Sequence, residues 1–436
     1  MKKIAIFVAI LFMSVASFAE TATLFTPTYD TSVSSETTSW PKTFASIEAI
    51  EFNTEALASV SVESMEFQID GISHRAVRHH TEIRSERNFS WFGYVEGSQF
   101  LSHFAVIDGA VAGEIWLPLY SSGPNGFQRS IISRGGRTFL ARYDDAEVSG
   151  GLANDVVRKP IVRVSTGDTD DISFLYAGRR RGVRNPRCYN PYIEIRLLYV
   201  YDQTAEDWFV VPGGSVSELF ALGQATVDRI NATTANSKPS VDVRVRLVGF
   251  YKTNNFYNKG YLYEAIGFLR ETEVQSLRNE FQADVVGMWV GVGSEVSNQL
   301  GLSGGFDGSN SAYHAMMVGG GTWVATHEFG HNLGMDHQPE DVGTVDDPYP
   351  FARGHYVNLL WRTTMAVYKK EYCPNFCDPI PVWSNPSILW SGLPTGIKDE
   401  RENWRMVAIT GPVVASYMGE STGCLNSSRL FKDFEK

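Results

Sequence analysis

The stretch HEFGHNLGMDH, residues 327–337, constrains this chain more than any other. It holds three of the chain's nine histidines in eleven residues, with a glutamate directly after the first. A packed core has no use for such a concentration of imidazoles, and a solvated surface rarely spaces them so regularly. A metal ion needs them. His327 and His331 are four residues apart, so on a helix they share one face, a turn apart. Two imidazole nitrogens so placed reach one ion at about 2.0–2.1 Å each. Glu328 lies beside the first of them and is placed to take a proton from water at the ion's open side. Gly334 follows His331 by three, where a left-handed residue ends a helix. The chain can then return so that His337 supplies a third nitrogen. Three protein ligands and one open position form a catalytic zinc arrangement, whereas a structural site closes all four. The bland alternative, a satisfied cluster of core histidines, has no need of Gly334 or of the third histidine.

The remaining chemistry is sparse. The 436 residues carry a formal net charge of −11, which argues against non-specific binding to nucleic acid or an anionic membrane. MKKIAIFVAILFMSVASFAE has a basic start, a short apolar run and small residues at Ser17 and Ala19. This predicts a signal peptide over 1–19, and an exported protein, extracellular or periplasmic, with no membrane anchor. In that compartment the four cysteines, Cys188, Cys373, Cys377 and Cys424, are expected to form two disulfides of open pairing. Cys188 is not assigned to the metal, because only four residues separate it from the strand expected to start at Ile193.

Residues from about 60 to 175 read as short strands broken by Gly, Asn and Asp, an antiparallel β unit without chemistry of its own. GRRRGVRNPRC (178–188) reads as an exposed linker and a processing site. Beyond it the pattern changes. Strands are expected over 193–202, 241–251, 283–292 and 312–318, and helices over 215–235 and 261–282. GTWVATHEFGHNLG reads as a helix that stops at Gly334. The expected fold class is an α/β (α+β) catalytic domain with a mixed, mostly parallel sheet, preceded by an antiparallel β-rich pro-segment. The expected divisions are a signal peptide at 1–19, a pro-segment at 20–187, a catalytic domain at 188–424 and a tail at 425–436.

HEFGHNLGMDH resembles the H-E-x-x-H-x-x-G-x-x-H signature of the metzincin zinc peptidases. QADVVGMWVG, CPNFCDPIPVWSNP, LPTG and ENWRMVAITGPVVASY resemble its reprolysin-like branch, especially bacterial peptidyl-Asp-endopeptidase-like members, and the resemblance covers roughly residues 190–420. It implies a metzincin-like fold and one catalytic zinc on His327, His331 and His337, with Glu328 as proton acceptor and donor. It implies that Met365, in WRTTMAVY, forms a hydrophobic floor beneath the imidazoles. It also implies that AYHAMMV (312–318) is an edge strand on which an extended peptide or protein substrate pairs. Tyr368 stands one residue beyond the position of a tyrosine some members use, and receives no role. His314 and His355 are expected in ordinary packing or surface roles. Arg353, Arg362, Arg401 and Arg405 are candidates for favouring an acidic substrate side chain. The competing readings are a secreted binding module, which would not need Glu328, and a hydrolase of non-peptide amides.

Overall fold

The computed structural model describes residues 20–28, 40–118, 127–144, 192–256, 261–291, 300–342, 349–358, 360–369, 371 and 377–419. The expected signal peptide, the arginine-rich stretch with Cys188, Cys373, Cys424 and the tail at 425–436 lie outside the described residues.

The largest element is a ten-stranded sheet. Its strands are β1 (Glu20–Thr23), β2 (Phe25–Pro27), β3 (Phe44–Phe52), β4 (Val62–Ile69), β5 (Ile72–Ser85), β6 (Asn88–Val95), β7 (Leu101–Ile107), β8 (Ala110–Trp116), β9 (Gln128–Arg134) and β10 (Arg137–Tyr143). They lie in the order β1-β4-β5-β6-β7-β8-β9-β10-β3-β2. Only the β1–β4 pair is parallel. β2 also packs against β4, so the two ends curl toward each other and nearly close a barrel. The meander follows from its turns. Asp108 and Gly109 join β7 to β8 with φ of 51° and 89°. Two left-handed residues make the turn whose twist matches antiparallel strands.

A second, five-stranded sheet comes from β11 (Ile193–Tyr201), β12 (Val243–Lys252), β13 (Val285–Val290), β14 (Gly301–Ser303) and β15 (Tyr313–Met317). Its order is β12-β11-β13-β15-β14, with β14 antiparallel to β15. The long helix Val216–Ser237 lies between the sheets, touching β7 and β8 on one side and β12 on the other. Covered on both sides, it buries polar as well as apolar positions. The region expected as one helix over 261–282 is two, Leu262–Phe268 and Thr272–Phe281, because Glu271 turns extended between them.

Two expectations are corrected. The fold is not the metzincin-like α/β (α+β) catalytic domain built on a mostly parallel sheet. It is mostly β, with few helices, and the nearly closed ten-stranded sheet dominates it. The reason is packing that strand periodicity does not encode. Ala49, Ala105 and Phe139 of the large sheet share one core with Leu197, Leu222 and Trp289. The strand 312–318 is also not an edge. β15 lies between β13 and β14, and the three residues of β14 form the edge.

The β9–β10 turn seats the large sheet on the start of the long helix. Gly136 sits at φ 73°, and a Cβ there would strike the carbonyl of Gly213. Gly136→Ala is therefore expected to lower stability by about 1–3 kcal/mol, read by urea denaturation. An unchanged midpoint would contradict this seating.

Candidate metal centre

The helix Gly321–Asn332 carries His327 and His331 on one face. Gly334 at φ 76° ends it, with its N–H donated to the His331 carbonyl at 2.9 Å. The chain then reverses and is pinned at Asp336. One Asp336 oxygen accepts from the His337 N–H and the other from Arg353 Nη1, each at 2.8 Å. His337 is thereby delivered back to the helix.

The three imidazoles converge. Nε2 of His327 lies 3.0 Å from Nε2 of His337 and 3.1 Å from Nε2 of His331, and the third side is 3.2 Å. Each opposite ring nitrogen faces an oxygen. Nδ1 of His327 meets the Thr364 carbonyl at 2.9 Å, that of His331 the Met335 carbonyl at 2.9 Å, and that of His337 the Asp341 carboxylate at 2.7 Å. A carbonyl or carboxylate only accepts, so each Nδ1 carries the proton and each Nε2 presents its lone pair to the common point. Three lone pairs aimed at one point in a buried site repel unless a cation lies among them. A tetrahedral ion 2.0–2.1 Å from each nitrogen would space them about 3.3 Å apart, close to the observed triangle. The donor set fits a divalent metal of the zinc type.

Glu328 is buried beside this triangle. Its carboxylate lies against Gly301 of β14, where any Cβ would collide with Oε1. Met365 is fully buried, and its Sδ fills the space a side chain at Gly330 would take. The segment of Met365 is tied to the return loop by Gln338, which accepts from the Val367 N–H at 2.9 Å and donates to its carbonyl at 3.1 Å.

Three residues here are beyond what the spacing signalled. Asp341 orients His337, and its other oxygen lies 2.5 Å from Lys369 Nζ. Burial opposes its ionisation, but the hydrogen bonds from His337 and Lys369 prevail and hold its carboxyl below the usual range. The only sequence signal was its position four past His337, on the short helix Pro339–Val342. Gly301 makes room for Glu328, and Asn332 anchors the helix. The Asn332 amide donates to Ser303 Oγ at 2.9 Å and to the Tyr313 carbonyl at 3.0 Å, and its oxygen meets His314 Nδ1 at 2.8 Å.

His314 and His355 are both buried, and burial pushes each down to about 4, so both are neutral at pH 7. Of the four arginines, Arg353 is bound to Asp336, Arg401 to Glu340 and Glu400, and Arg405 to Glu402. Arg362 is fully buried, stacked 4.4 Å over the Trp323 ring, and donates to the Ala366 carbonyl.

Two outcomes test this geometry. Asp341→Asn should weaken metal binding about 10- to 100-fold, measured by chelator competition. Gly330→Ala should destabilise the fold by about 1–3 kcal/mol through overpacking against Met365. Unaltered metal affinity in the first, or unaltered stability in the second, would count against the contacts named.

No protein-family model matches the chain. It is similar to a peptidyl-Asp metalloendopeptidase of Stenotrophomonas maltophilia strain K279a, 24% identical over 439 residues, spanning 94% of this chain and 97% of that protein. A protein of the same description from strain R551-3 is 24% identical over 383 residues, spanning 83% of this chain and 84% of that one. Another from Xanthomonas campestris pv. campestris is 28% identical over 232 residues, 51% of each chain. A solved structure described as a chaperone-substrate complex aligns with a TM-score of 0.41 at 20% identity, covering 52% of this chain and 35% of that one. The chain is similar over nearly its whole length to bacterial metalloendopeptidases, and its histidine triad is placed to hold their metal; it is a metalloendopeptidase, a hydrolase.

Proposed function

We propose that the chain is an exported zinc endopeptidase made as a pre-pro-enzyme, with one zinc ion on His327, His331 and His337 and with Glu328 as its acid–base residue. The observation that carries the reading is the convergence of three Nε2 atoms within 3.2 Å, each with its Nδ1 held by an oxygen. The zinc, when bound, supplies a Lewis acid for the peptide carbonyl and makes water acidic enough to react near neutral pH. Glu328 removes a proton from the attacking water and returns it to the leaving amine. Gly301 keeps the space that its carboxylate occupies. Asp341 and the carbonyls of Thr364 and Met335 hold the imidazoles in the tautomer that ligates. A peptide in extended form pairs with the edge strand β14, next to Glu328.

The metzincin, reprolysin-like affiliation is part of this proposal and rests on the motif, Gly334 and Met365. Signal-peptide export rests on residues 1–19, and processing on the arginine-rich stretch 178–188. Under this reading residues 20–187 are the pro-segment and residues 188–424 the peptidase part. The burial of His327, Glu328, His331 and His337 in the full-length chain supports a latent form. Cys377, which is disulfide-bonded, supports an oxidising destination. The relatives' name supports aspartate as the residue recognised in the substrate.

The test is cleavage of a mixed peptide library by the processed protein. Cuts should cluster beside aspartate and vanish on chelation. Glu328→Ala should retain the metal while losing about 10²- to 10⁴-fold in rate. A metal-loaded wild type that cuts no peptide would move the secreted binding-module reading ahead.

A further inference from the structure

The contact between the ten-stranded sheet and the histidine-bearing half is built like a protein interior. Glu114 of β8 is fully buried and forms an ion pair with the fully buried Arg229 of the long helix. The same carboxylate oxygen accepts from Thr322 Oγ1 at 2.5 Å, in the first turn of the helix that carries His327. Glu218, at the start of the long helix, accepts from the N–H groups of Gly135 and Gly136 at 3.1 and 2.8 Å. Apolar contacts surround these polar ones. Trp40 meets Trp208 edge-on at 5.3 Å between ring centroids, and Phe100 stacks on Trp390 at 4.4 Å. Surfaces that separate readily are polar and solvated. Here, parting the halves would leave the Arg229 guanidinium without its carboxylate and bare several tryptophans to water.

We infer that the ten-stranded sheet is a tightly held half of the folded molecule, which stays bound when the chain is cut between the halves, with Glu114 as the anchoring contact. The inference rests on the proposed function only in taking 178–188 as a place where the chain is cut. It changes what such a cut does. Cleavage alone leaves a two-chain complex, and release of the sheet needs its unfolding or digestion. The association is not covalent, because all four cysteines follow residue 187 and belong to the later piece.

The experiment replaces residues 178–182 with the recognition sequence of a site-specific protease, cuts the folded full-length protein and weighs it by light scattering. The expected result is one particle of the full mass in native buffer and two pieces in denaturant. A sheet fragment that elutes alone from a folded remainder overturns the inference. Glu114→Ala in the cut protein should weaken the association at least about tenfold, read as fragment released over a urea series. If that variant does not fold, Glu114→Gln, which keeps the size but not the charge, is measured in the same way. Release indistinguishable from wild type in the folded variant removes Glu114 as the anchor. Sizing needs no peptidase activity, so its failure is distinct from failure of the library assay.

Discussion

Three imidazole nitrogens lie within 3.2 Å of one another in a buried site, an arrangement that a cation bound among them would stabilise. Much of the surrounding structure is explained by how that triangle is kept. Two members come from adjacent turns of one helix and cost the chain nothing beyond forming it. The third requires the helix to stop at Gly334 and the chain to reverse, and this demands Asp336, Arg353 and Gln338 in the interior. Each ring is then fixed from behind by an acceptor oxygen. The two backbone acceptors, at Thr364 and Met335, link the triad to the Met365 segment and to the end of the helix. Asp341 is the only charged one of the three.

The same helix is held from its other end. Thr322, five residues before His327, hydrogen-bonds Glu114 of the large sheet, and Tyr143 of β10 closes over Gly321. Asn332 ties the far end to β14 and β15. The helix is therefore registered against both sheets. A displacement of either sheet would be felt at the imidazoles, which connects the architecture to the chemistry.

The sequence made the triad legible because metal ligation is a local pattern: H-E-x-x-H is one helix face, and Gly334 is a terminator readable without tertiary information. The strands 193–202, 241–251 and 283–292 and the helix 215–235 were legible through their periodicity, and appear within a residue or two of the expected bounds. What was illegible depends on partners distant in the chain. Glu114 sits in AVAGEIW, where a single acid in an apolar run announces nothing about Arg229, 115 residues on. The resemblance implies an edge at 312–318, and the three residues of β14, too short to show alternation, give no signal against it. The β-rich first part reads as a separate antiparallel pro-segment because nothing in its strands reveals that they share a core with the second sheet. That omission produced the wrong fold class.

X-ray absorption at the metal edge of the purified full-length protein tests the central claim most directly. The account predicts one zinc per chain, with three imidazole nitrogens at about 2.0–2.1 Å. A protein that binds no stoichiometric metal, or a spectrum with fewer than three imidazole scatterers, would contradict it.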